Sequence, residues 1–144
     1  MVKQDLISQI EQATVARLQA QAGEQLKVSA YPAQPKSFRL IGRKSGALVV
    51  YQGSQYTGEQ DGFDVRRQRW LVTLLARGLH QHSGAYPLIE LIQQALTGWV
   101  PQPGLRPFWP ERDEFIDEND GIWRYDLAFL LESPLSCGAC EECQ

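Results

Sequence analysis

Cysteine is nearly missing from this chain of 144 residues: there are three, and all lie within residues 137–144. No disulfide framework can therefore staple the rest, and the core must hold itself together by apolar burial. Long apolar runs are missing as well. Nothing approaches the ~20 residues that a membrane-spanning helix needs, and the opening MVKQDLISQIEQ lacks the apolar stretch of a signal peptide. The expectation is a protein made in a reducing cytoplasm, with no membrane partner. Basic charge is also scarce, with 14 Lys and Arg against 17 Asp and Glu and a net charge of -3. Arg66, Arg67 and Arg69 form the only basic cluster, which argues against specific nucleic-acid binding, since phosphate recognition needs concentrated cations.

Catalytic signatures are absent too. Serine and threonine occur in no nucleophile-elbow motif, and no glycine cluster has phosphate-loop spacing. His80 and His82 form an H-x-H pair without a third ligand near them in sequence, and read as polar loop residues. Residues 111–120 carry six carboxylates (Glu111, Asp113, Glu114, Asp117, Glu118 and Asp120). They miss the calcium-loop pattern, because glycine falls at the fifth position from Asp117 instead of the sixth. A solvated hairpin rim is the simpler reading. The chain is not expected to be an enzyme.

What is present is an α+β pattern. The stretch VRRQRWLVTLLA, residues 65–76, organises it. Trp70, Val72, Leu74 and Ala76 fall on one side of a strand, and Leu71, Thr73 and Leu75 on the other. Arg67 and Arg69 mark the start of the second side as polar, and then the polarity stops. A strand apolar on both sides needs two covers. One is the chain's own helices; the other is either more of its own core or a second copy of the protein.

Around this strand the elements follow in order. Residues 4–22 read as a helix with Leu6, Ile7, Ile10, Ala13 and Leu18 on one face and Gly23 as its stop. Residues 26–30 alternate as a half-buried strand, and 47–51 form a β-branched one. Gln52 to Gly62, QGSQYTGEQDG, has three glycines and almost nothing aliphatic, and reads as a surface loop or extended arm. The long strand covers residues 63–77. Residues 86–97 form a second helix with Pro87 in its first turn. Residues 108–116 read as a strand or extended segment. Asp120-Gly121 favours a tight hairpin, and the strand 122–131 points Trp123, Tyr125, Leu127, Phe129 and Leu131 inward. The sum is an α+β domain with a largely antiparallel or mixed sheet of four or five strands and two helices packed on one face. It spans residues 1–133, followed by a cysteine-rich tail, 134–144.

That tail reads SCGACEECQ. Cys137, Cys140 and Cys143 make C-x2-C-x2-C, a candidate ligand set for zinc or an iron–sulfur cluster. A fourth ligand would have to come from His, water, Glu141, Glu142 or another subunit. A disulfide or free thiols are the alternatives.

The segments ALVVYQGSQY, RRQRWLVTLLARGLHQHSGAYPLIELIQQALTGWVP and EFIDENDGIWRYDLAFLLE, taken in this order, resemble the small minor tail proteins of Mu-like contractile-tailed phages and prophages. The likeness runs from about Asp5 to Glu132. It rests on the ordered set of YQGS, the GAY-helix-LTG segment and the closing GIWRYDLAF, with no single diagnostic motif. The cysteine cluster is not part of that pattern. The resemblance implies a tail terminator, or tail-completion protein. Such a subunit forms a hexameric ring on the last ring of the tail tube, ends tube and sheath polymerisation, and joins the tail to the neck. Its place would be the head-proximal end of the tail in the virion, after assembly in the host cytoplasm.

A ring of head-to-tail contacts needs two different complementary patches on each subunit. Leu71, Thr73 and Leu75, with Gln52, Gly53, Tyr56, Gly58 and Gly62 of the glycine-rich arm, are the candidate subunit-interface residues. Another neck or connector component is the nearest alternative. A small cytosolic metal or iron–sulfur protein using its three cysteines is the alternative from a different class.

Overall fold

The computed structural model describes residues 5–31, 45–58, 64–77 and 84–134. Seven elements follow one another: α1 (Leu6–Ala22), β1 (Leu26–Ala30), β2 (Ser45–Gly58), β3 (Asp64–Arg77), α2 (Tyr86–Leu96), β4 (Trp109–Asn119) and β5 (Ile122–Pro134). The strands form one five-stranded sheet in the order β1-β2-β3-β5-β4. β1 runs parallel to β2, and every other pair is antiparallel. The α+β class with a mixed sheet, expected from the alternation of patterns, is what the chain adopts.

The periodicities explain the elements. α1 starts where the Asp5 carboxylate caps it, accepting from the Ser8 backbone N–H at 2.9 Å and the Ser8 hydroxyl at 2.8 Å. Those hydrogen bonds, the backbone one first, hold the Asp5 carboxyl below its ordinary value. The helix stops at Gly23, whose φ of 59° suits glycine. Its buried face is Ile10, Thr14, Leu18 and Ala22. Thr14 survives there because its hydroxyl donates to the Ile10 carbonyl at 2.7 Å. α2 begins with Pro87 in its first turn and buries Leu88, Ile92, Ala95 and Leu96. Arg17 clips the helices together. Its Nε donates to the Ala95 carbonyl in the last turn of α2 at 3.0 Å, and its guanidinium lies over the Trp99 ring.

In the sheet, Val72 stands between Val49 and Leu127, and Leu74 between Ala47 and Tyr125. These side chains and the two helices build one core around Trp70, with Phe108 and Phe129 edge-to-face beneath the connection after α2. Each buried Leu, Val or Phe contributes about 1.5–3 kcal/mol. Trp70, Val72, Leu74 and Ala76 therefore face the helices, as the two-sided reading of residues 65–76 requires. Asp120 and Gly121, at φ 53° and 78°, make the hairpin turn between β4 and β5, and Glu118 steadies it by accepting the Gly121 N–H at 2.8 Å.

One expectation is corrected here. Gln52–Gly58 is the second half of β2, with Gly53–Gly58 paired to Asp64–Arg69 of β3, and not a loop. Glycine, serine and glutamine are poor strand formers, yet a ready-made partner strand outweighs local preference. Gly62 and the remainder of that stretch lie outside the described residues, as do His80, His82, Cys137, Cys140 and Cys143.

Candidate functional site

The second side of β3 is the first surface of interest. Leu48 and Val50 of β2, Leu71, Thr73 and Leu75 of β3, and Ala128 and Leu130 of β5 stand together on the sheet face turned away from α1 and α2. Among the described residues no helix lies over this face. Leu71 and Leu75 are half-buried, whereas Thr73 is only 2 % exposed. Thr73 is satisfied by donating its hydroxyl to Asp126 at 3.0 Å. The three interface candidates of β3 thus share one face, with the leucines flanking a tied-down threonine.

A bulge shapes the next part. The β2–β3 register shifts between Tyr51 and Gly53, so that Tyr51 pairs with Trp70 and Gly53 with Arg69. One extra residue, Gln52, flips the faces of everything after it. Gly53 and Gln55 consequently join Arg69 and Arg67 on the open side. Ser54 and Tyr56 turn to the helix side, where Arg66 donates to the Ser54 hydroxyl at 3.0 Å and to the Tyr51 hydroxyl at 3.2 Å. Tyr51 and Ser54 also share a hydrogen bond, and Arg66 lies over the rings of both Tyr51 and Tyr56. Burial pushes the Tyr51 phenol up, but the Ser54 hydrogen bond and Arg66 together outweigh it and leave the phenol below its ordinary value.

On the open side, Gln52, Gly53, Ser54, Gln55, Arg67, Arg69 and Leu130 line a depression of about 250 Å³. A second one, about 370 Å³, shares Arg67 and Leu130 with it and adds Arg106, Pro107, Trp109 and Glu132. The two adjoin at Arg67 and Leu130 and together carry three guanidinium groups, an arginine-lined groove. Arg67 pairs with Glu132 at 2.9 Å, and Arg69 grips Glu111 with two hydrogen bonds, at 2.8 and 2.7 Å. The Arg69 contact holds the Glu111 carboxyl below its ordinary value. Trp109 stands at the rim, 63 % exposed.

The far end of the β4–β5 hairpin is different. β4 is open to solvent along almost its whole length. Phe115 and Ile116 are 46 % and 37 % exposed; the Phe115 ring packs against Trp123 and Tyr125, and Ile116 is the extra residue at the register shift between Phe115 and Asp117. The acidic rim expected for residues 111–120 is solvated, and among the described residues no three His, Cys, Asp or Glu side chains converge on a common point.

Gln52 and Gly53 therefore meet the arginine groove, while Tyr56, 60 % exposed, lies on the other side of the sheet. Gly58 ends β2. Sequence reasoning missed Arg67, Arg69, Arg106, Trp109 and Leu130 as one surface. Trp109 next to Pro110 and Glu111 was a visible cue, but only the antiparallel register brings Leu130 and Arg69 to it.

Comparison with known proteins bears on what these surfaces serve. No curated protein matches the chain. Among solved structures, a chain from the "Virion of native gene transfer agent (GTA) particle" has a similar fold, with a TM-score of 0.56 at 18% identity. The match covers 90% of this chain and 95% of that one, and at this identity it is a likeness of fold. A family model described as Gp37 protein matches residues 14–142, and the chain belongs to that family.

Proposed function

We propose that this chain is a virion structural protein of a phage-like particle, and that within the particle it is the tail terminator. As a ring, hexameric by the resemblance, it caps the last ring of the tail tube, ends tube and sheath polymerisation, and offers its other side to the neck. It works by presenting shaped surfaces and not by transforming a substrate. Membership of the Gp37 family and the fold shared with a virion chain support the structural role. The observation that carries the assembly reading is the half-buried leucine pair Leu71 and Leu75 on a sheet face with no described helix over it. Leu48 and Ala128 on this face are buried, so the patch left for another protein surface is Val50, Leu71, Leu75 and Leu130. A neck or connector subunit would use the same surfaces, and its place beside the tube distinguishes it from the terminator.

The test has two parts. Light scattering on the purified full chain is expected to give a mass near six subunits, alone or on addition of tail tubes. Electron microscopy of those tubes is expected to show density capping one end. A chain that stays monomeric and leaves tube ends bare refutes the terminator. Zinc or an iron–sulfur cluster at Cys137, Cys140 and Cys143 is a separate proposal, and ring formation does not require it.

A further inference from the structure

We infer that neighbouring copies dock head to tail, with the outer end of the β4–β5 hairpin of one copy seated in the arginine-lined groove of the next; this rests on the ring reading and specifies its contact. The two surfaces sit at opposite ends of the same strand pair. Trp109 is registered with Leu130 at the groove, and Asn119 with Ile122 at the turn. At ~3.3 Å per residue they are roughly 25 Å apart, and the ladder between them keeps them from meeting within one chain. A contact between two unlike patches of the same molecule is heterologous, and repeating it yields a ring or a filament.

Their chemistry is complementary. Arg67 and Arg69 already hold Glu132 and Glu111, but Arg106 has no charged partner among the described residues. At the other end, Asp117 and Asp120 are likewise without an ion pair among the described residues. Apolar surface accompanies the charge on both sides: Trp109 and Leu130 at the groove, and Phe115 and Ile116 on the hairpin. A desolvated aromatic beside opposite charges is the usual make-up of an interface centre, with the charges setting register and encounter rate. Other uses of the hairpin fit less well. Pro110, two bulges and a row of carboxylates guard the β4 edge against simple strand addition.

The contact is tested with the full chain by charge reversal and mixing. Arg106→Glu disables the groove, and Asp117→Lys with Asp120→Asn, which keeps a residue suited to the positive φ of the turn, disables the hairpin. All three positions are exposed, so circular dichroism and thermal melting are expected to match the parent chain. Each variant alone is expected to self-associate at least roughly tenfold more weakly. Mixed one to one, each hairpin meets a groove of opposite charge on the other variant, and the two are expected to co-assemble in alternation although neither assembles alone. A chain carrying all three changes is expected to regain assembly. If the parent chain forms rings and the variants form them equally well, this contact is wrong while the ring reading stands. If the parent chain neither associates nor caps tubes, the ring reading fails and takes the contact with it.

Discussion

Trp70 donates its indole N–H to the side-chain carbonyl of Gln68, two residues back on the same strand, at 2.9 Å. Both side chains are sealed from water, and the Gln68 amide in turn donates to the Ser133 hydroxyl at 3.3 Å. A buried indole needs an acceptor, and this one is drawn from an otherwise polar stretch of β3. Gln68 is therefore part of the core although its chemistry says surface.

Gln68→Ala is expected to strand the indole N–H and open a small void, destabilising the fold by about 1–3 kcal/mol. Chemical denaturation measures this directly as a lower midpoint with unchanged slope. An unchanged midpoint would mean that water reaches the indole.

The Arg69–Glu111 pair predicts a dependence on acid. Its first cause is the hydrogen bond from Arg69, which holds the Glu111 carboxyl below its ordinary 4.5. A carboxyl depressed by folding adds stability that is present above the unfolded value and is lost as pH falls through the folded one. The parent chain should therefore lose stability below about pH 4.5 more steeply than Glu111→Gln, and the two curves should run parallel above it. Because the pair is largely at the surface, the difference is small and shrinks in high salt. Denaturation midpoints at several pH values, with and without salt, check both statements.

The elements were legible wherever side-chain periodicity was strong. β5 alternates Trp123, Tyr125, Leu127, Phe129 and Leu131 against Arg124 and Asp126, and it runs almost where that alternation places it. Asp120-Gly121 announced its turn, because few residue pairs accept two successive positive φ values. Gln52–Gly58 was not legible, since its strand state comes from β3 and not from its own residues. Nor were the bulges at Gln52 and Ile116, which leave no fixed mark in composition yet decide which face each later side chain joins. The arginine groove failed to show for the same reason: it is assembled by register across four strands.

The tail cysteines call for an experiment of their own. If Cys137, Cys140 and Cys143 ligate metal, the chain purified without oxygen should carry zinc, or iron with visible absorption. Changing all three to serine should abolish it. Metal analysis of both proteins, with thiol titration of the metal-free form, separates a bound ion from free thiols or a disulfide. Equal metal content in the two would remove the cysteines as ligands.

The strongest demand falls on Leu71 and Leu75. They flank Thr73 on the open face of β3, half-buried, whereas Val72 and Leu74 on the helix side are fully buried. A charge placed on the helix side would enter a closed core, and Leu74→Asp is expected to unfold the protein. Leu71→Lys and Leu75→Glu place theirs at the edge of solvent, where a long side chain can carry its charge outward. These two variants are expected to keep the parent's circular dichroism and a cooperative melt, and to lose self-association. The contrast between neighbouring positions is what decides. Equal unfolding of all three would show that the open face is closed core, and that copies of this chain meet elsewhere.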